Sequence, residues 1–223
     1  MKRVILALLL LSVTTLFALE SDPSETVGFV KYECVNVAGG DFNIIAIPLD
    51  CPYSVASDMG ADYPAITSIK YWDETNQQWV ASNNLGGFWA PDNPIEPNEV
   101  YYVNVSSATD IYIAGGMNAD PVYNFVSNAN GDFNTAMLPL DCDFTMASEW
   151  GNDIGTGSEC TSIKEWDNTN QQWIASNNLG GFWAPDNSIS IAQGYYVNVN
   201  ANVTWPSSKK SLKISKQKIN SRK

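Results

Sequence analysis

Four aspartates occur twice along the chain, Asp41 and Asp132, Asp50 and Asp141, Asp73 and Asp167, Asp92 and Asp186, each pair at matching places in two similar stretches. Paired carboxylates can hydrolyse glycosidic bonds, and grouped carboxylate and carbonyl oxygens are what calcium takes as ligands. Each of these aspartates, however, stands in a stretch rich in Gly, Pro or Asn, the setting of a turn-forming side chain. The chain holds no histidine, so Ser–His and Cys–His nucleophiles are excluded, and it has neither a G-x-S-x-G elbow nor a phosphate-binding glycine loop. The expectation is a protein that is not an enzyme and has no cofactor. Calcium is the one ion considered, with Gly40-Asp41-Phe42-Asn43, Gly131-Asp132-Phe133-Asn134 and Asp141-Cys142-Asp143 as its candidate donors.

The second chemistry-bearing set is aromatic. Phe88 and Trp89, and their counterparts Phe182 and Trp183, follow Gly-Gly in a loop, with Asn83, Asn84, Asn177 and Asn178 just before it. Rings that stack on the apolar face of a sugar, beside amides that bond its hydroxyls, make a saccharide-binding surface. These eight residues are therefore the candidate binding site. Trp72 with Trp79, and Trp166 with Trp173, are read instead as cross-strand partners on a small sheet.

An internal repeat must position both sets. Residues 68–93 and 162–187 are identical at 23 of 26 positions, and residues 40–51 match 131–142 at 8 of 12. Within each copy the pattern is that of strands. Phe29 to Val37 mixes β-branched, aromatic and polar residues, and Asn43 to Ile47 is a short apolar run stopped by Pro48. Ile66 to Trp72 and Gln78 to Ala81 form a hairpin about the polar cluster 73–76, and Val100 to Val105 and Asp110 to Ala114 complete the set. Ser54 is placed as the cap of one or two helical turns. The expected fold is all-β, two tandem homologous β-sandwich or small-barrel modules, with residues 1–18 as a signal peptide, 19–115 and 116–206 as the modules, and 207–223 as a basic, flexible tail. The exact repetition of surface positions such as Asn76-Gln77-Gln78 has two readings, recent duplication or one surface presented twice.

The strings Asn43-Ile44-Ile45-Ala46-Ile47-Pro48-Leu49, Trp72-Asp73 with Gln78-Trp79, and Gly194-Tyr195-Tyr196-Val197 resemble a β module that recurs in bacterial secreted and surface proteins. The resemblance implies an accessory or structural β domain with no catalytic residues to carry over. The chain departs from it at Pro97-Asn98-Glu99 and Ala192-Gln193-Gly194, where the module usually has a Pro-Gly turn.

The ends and the charge set the location. Lys2 and Arg3 precede an apolar run ending near Ala18, the pattern of an export signal too short to be a membrane span, so the protein is expected outside a bacterial cytoplasm, secreted or at the cell surface, with the periplasm as a further option. Cys34, Cys51, Cys142 and Cys160 are an even number in an exported chain, and one bridge per module, Cys34 with Cys51 and Cys142 with Cys160, is the expected pairing. Between the signal and the tail lie three lysines and all 24 acidic residues, while residues 207–223 carry seven basic ones. That body excludes nucleic acid, whose phosphates require Lys and Arg. Lys209, Lys210, Leu212, Lys213, Ile214 and Lys216 form an alternating basic and apolar segment that could add to a neighbour's sheet edge. The functional expectation is a non-enzymatic structural or adhesive protein, a self-assembling subunit of an extracellular fibre or surface layer whose partners are copies of itself or a cell-surface polymer, with carbohydrate binding through the Trp-rich loops as the alternative.

Overall fold

The computed structural model describes residues 27–117 and 121–206. The proposed signal segment and basic tail lie outside the described residues. The fold is mostly antiparallel β, in the manner of a sandwich, with two helices of seven residues each among the described residues.

A strand β1 (Val27–Cys34) pairs along its whole length with β8 (Thr109–Met117), and the short β3 (Leu49–Asp50) joins the far end of β8. Over this sheet lies a second one, in the order β2 (Phe42–Ala46), β7 (Val100–Val105), β4 (Ile66–Asp73), β5 (Gln78–Asn84) and β6 (Trp89–Ala90). Alternation sends Ile45, Ile69, Tyr101 and Val103 inward against Ile111 and Ile113 of β8, all of them buried. The same order returns in β10 (Phe133–Met137), β13 (Gly194–Val199), β11 (Cys160–Asp167) and β12 (Gln172–Asn177), and β9 (Tyr123–Phe125) pairs with β14 (Val203–Trp205) as β1 does with β8. Each sequence repeat thus pairs its own first and last strands.

The hairpin, the strand ending before Pro48 and the strand at 100–105 are where the residue pattern places them. The helix α1 (Ala56–Asp62) starts one residue later than expected, with Val55 rather than Ser54 at the cap, and its counterpart α2 (Ala147–Asp153) is capped at Met146. The orphan amides are satisfied by acids instead. Asp58 accepts from the amides of Ser54 and Val55, and Asp92 accepts from the amide and hydroxyl of Ser57; Glu149 and Asp186 do the same around α2. Two further pairs of the repeated acids also serve the backbone or its neighbours. Asp73 and Asp167 accept from Asn76 and Asn170 across the hairpin turns, and Asp41 and Asp132 accept from Asn104 and Asn198.

The expected disulfides are absent: all four cysteines are free thiols. Cys34 is opposite Thr109 at one end of β8, while Asp50, just before Cys51, is opposite Gly116 at the other. Seven residues of extended strand span about 23 Å, against the roughly 4–7 Å between Cα atoms that a disulfide allows. In the second repeat, Cys160 is opposite Val199, whereas the chain leading to Cys142 leaves β10 opposite Gly194, at the other end of β13. Cys34 and Cys160 are buried core residues whose thiols burial pushes up to about 12, so they act as small apolar side chains.

Candidate functional site

The outer face of the β2–β7–β4–β5 sheet carries Phe42, Tyr102, Lys70, Trp72 and Trp79. Register places Trp79 opposite Trp72 and Tyr102 beside Lys70. In an isolated sandwich such a face would meet water, yet every residue of β7 and of β13 is buried. The reason is that the corresponding faces of the two repeats meet each other. Strands buried on both sides lose the alternation of a half-exposed sheet.

The contacts come in reciprocal pairs, the signature of an approximate two-fold axis. Gln77 donates to the carbonyl of Phe133 and accepts from its amide, at 2.7 and 2.9 Å; Gln171 does the same with Phe42, at 2.8 and 3.0 Å. The indole of Trp72 donates to the Phe133 carbonyl, and that of Trp166 to the Phe42 carbonyl. Tyr32 donates to the carbonyl of Ala192, and Tyr123 to that of Asn98. Glu74 accepts from the amide and hydroxyl of Thr135, and Asn168 accepts from the amide of Ile44. Gly40 and Gly131 are required for the close approach: a Cβ on either would stand 2.6 Å from a glutamine oxygen of the opposite repeat. Across the axis the phenols of Tyr102 and Tyr196 have ring centres 6.0 Å apart, and burial drives both hydroxyls well above the usual tyrosine range.

Between the two faces opens a groove of about 370 Å³, walled by Phe42, Trp72, Trp79, Tyr102 and their counterparts Phe133, Trp166, Trp173 and Tyr196. Trp72 and Trp79 pack edge to face with centres 5.0 Å apart, as do Trp166 and Trp173. The tryptophans read as cross-strand partners are such partners, and they are also the walls of this groove. Trp79 and Trp173 remain 38 % exposed, so each offers a ring face to solvent. Lys70 lies over the Phe42 ring at 4.7 Å and Lys164 over Phe133 at 4.6 Å. Burial lowers the pKa of both amines, against the pull of Asp41 and Asp132. Neither lysine forms an ion pair with a carboxylate among the described residues; Lys31 is the lysine that does. Next to them on the same sheet faces, the hydroxyls of Ser68 and Ser162 and the side-chain oxygens of Asn104 and Asn198 are buried without a hydrogen-bond partner among the described residues.

The loop residues expected to bind fall into a different arrangement. Trp89 and Trp183 are buried, 7 % and 6 % exposed. Each ring fills a notch left by a helix glycine, and a Cβ on Gly60 or Gly151 would come within 2.2 Å of it; Trp183 also donates to Asn152. Asn84 and Asn178 brace the loop from within, accepting from the amides of Gly87 and Gly181. Asn83 is exposed and Asn177 half-buried on the groove side of their strands. Phe88 and Phe182 stand out from the surface, 70 % and 69 % exposed. The loops and the groove are therefore separate features. The sequence signal for the groove was the exact repetition of Asn76-Gln77-Gln78-Trp79, which a core alone does not demand. No group of three or more His, Cys, Asp or Glu converges among the described residues.

No helix among the described residues is long and apolar enough to cross a membrane. No protein-family model, curated protein or solved structure matches the chain.

Proposed function

We propose that the protein is a non-enzymatic extracellular adhesive protein that holds a saccharide chain in the groove between its two repeats. The observation that carries this reading is the wall of eight aromatic side chains around an open groove, with exposed faces on Trp79 and Trp173. Saccharide rings are apolar on their faces and polar at their edges, so aromatic walls beside hydroxyl and amide groups suit them. The export-type N-terminus and the turn roles of the repeated aspartates support a binding rather than a catalytic role.

The two lysines add a preference. Neither forms an ion pair among the described residues, in a body otherwise dominated by carboxylates; Lys164 lines the groove, Lys70 lies over Phe42 of its wall, and both amines are partly desolvated. A saccharide bearing carboxylate groups gains charge-assisted bonds there that a neutral one does not.

The test is affinity electrophoresis of the exported protein through gels containing neutral or uronate-bearing polysaccharides. Trp79→Ala combined with Trp173→Ala should release a retarded protein that still melts cooperatively from a folded state, and full retention of that variant would refute the reading.

A further inference from the structure

Each repeat ends its β5 or β12 hairpin in a second conspicuous feature, the sequence Leu-Gly-Gly-Phe. Leu85 is 65 % exposed and Phe88 70 %, Leu179 66 % and Phe182 69 %. These tips are built, not loose. Gly86 and Gly87 take the positive φ values of +77° and +98° that a side chain rarely tolerates. The amide of Leu85 donates to the Phe88 carbonyl at 2.7 Å, and that of Gly87 to the Asn84 side chain at 2.6 Å; the same two bonds, at the same lengths, hold the second tip. A rigid turn thus holds two large apolar side chains out in water, twice per chain and in identical form.

Neither the core nor the groove requires this. The segments between Glu74 and Asp92 and between Asp167 and Asp186 contain no charged residue, although the whole chain carries a formal charge of −12. They also contain no Lys or Arg, the residues that draw a protein onto an anionic bilayer. A second copy of the same acidic chain can approach an uncharged apolar tip more readily than it can approach the rest of the body.

The geometry sets what such contacts would build. Each hairpin has its 73–78 turn against the other repeat, through Gln77 and Phe133 or Gln171 and Phe42. Its tip lies at the opposite end of the strand, and the six steps from Gln78 to Asn84 place it about 20 Å away. The approximate two-fold axis then sends the two tips to opposite ends of the molecule. A particle with two like, self-complementary ends that do not close on each other forms an open row.

We propose that the Leu85–Phe88 and Leu179–Phe182 tips are contact sites for second copies of this chain, joining molecules end to end into linear assemblies. Each contact involves a few apolar side chains on either partner, well below the area of a stable dimer interface, so assembly is weak and rises with concentration. The saccharide groove takes no part in it.

Sedimentation velocity over a wide concentration range tests this on the full exported chain, as wild type, as Phe88→Ser, as Phe182→Ser and as the double variant, with thermal melts to establish that each is folded. The wild type should show mass growing beyond the dimer with concentration. Each single variant should stop at the dimer, since one end is blocked, and the double variant should stay monomeric. A wild type monomeric at every concentration, single variants that grow like the wild type, or a double variant that still grows would each overturn the proposal. So would growth abolished by deleting residues 207–223 with both tips intact, which would assign assembly to the tail. Tip-dependent pelleting of a protein that stays monomeric, with vesicles of phosphatidylcholine and phosphatidylglycerol, would assign the tips to lipid instead.

Discussion

The side chains that matter most are those whose neighbours leave them no alternative position. Trp89 and Trp183 lie flat in notches where Gly60 and Gly151 have no Cβ. Adding one methyl at Gly60 must displace the indole or the helix, and overpacking of this kind costs about 1–3 kcal/mol. Gly60→Ala should therefore lower the melting temperature clearly, and Trp89→Ala more so, since removing a buried large aromatic costs about 3–5 kcal/mol. Thermal melts of the two variants check this. Trp79→Ala, at a ring 38 % exposed, should be milder. Glu99 gives a prediction with pH. Its carboxyl, at a recess shared with Glu74, is pushed up to about 7, first by burial and then by Glu74 and Glu96. An unfolded glutamate titrates near about 4.3, so the folded state holds this proton more tightly than the unfolded state does. Its contribution to stability is then present below that value and lost as pH rises through about 7. The residue is exposed overall, so solvent screens the shift and the effect is a small component of a slope. Burial shifts Glu74 and Glu165 in the same direction. Melting temperature should fall between pH 5 and pH 8, and Glu99→Gln should flatten that fall; an unchanged slope in the variant would remove Glu99 as its source. The second repeat has Asn168 and Gln193 in the places of Glu74 and Glu99, and Glu165 in the place of Tyr71, so the pairing of Glu74 with Glu99 belongs to the first repeat.

At the scale of elements, the hairpin β4–β5 and its counterpart β11–β12 are the parts that both fold locally and join the halves. Gln77 and Gln171 stand at the hairpin turns with φ of 54° and 52°, an unusual backbone for a side chain of that size. They hold both the amide and the carbonyl of a phenylalanine in the opposite repeat. Gln77→Ala leaves the Phe133 carbonyl with the Trp72 indole but strips the Phe133 amide of its acceptor, a loss of about 1–3 kcal/mol where the group is left dry. Gln77→Ala with Gln171→Ala should thus destabilise nearly additively, because the two lie on opposite sides of the axis; denaturant titration of the single and double variants measures this. Much of this level was legible in the residues. The short apolar run from Ile44 to Ile47, the turn at Asp73-Glu74-Thr75-Asn76 and the stop at Pro48 each mark an element by local chemistry. The helix caps were not, because Asp92 reaches α1 from 35 residues away. The location of Trp89 was hidden for the same reason: its notch is a glycine in another element. The cysteine pairing misled because even number and compartment say nothing of strand register, which puts Cys34 and Cys51 at opposite ends of β8.

For the whole molecule, repetition has a structural consequence that no single repeat displays. Two copies of one aromatic sheet face, turned toward each other, exclude water from β7 and β13 and leave one groove on the axis. That arrangement constrains the hairpin part of the repeated stretch twice, once as a sheet and once as half of an interface, whereas the equally exact repetition of residues 84–93 and 178–187 lies apart from the groove. It also predicts one ligand per chain, not two, because the groove is shared; calorimetric titration with a retained oligosaccharide should give a stoichiometry near one. Lys70→Ala with Lys164→Ala should weaken retention on uronate-bearing polymer severalfold and leave neutral polymer little affected, and the difference between those gels should shrink as salt screens the charges.

The most direct measurement of the central claim is an NMR titration of the indole N–H signals with an oligosaccharide cut from a polymer that retards the protein. The groove account predicts that Trp79 and Trp173 shift together and saturate at one equivalent, while the core indoles of Trp150 and Trp205, which are fully buried, stay still. Shifts confined to Trp89 and Trp183, or none at Trp79 and Trp173 while the protein is saturated, would contradict it.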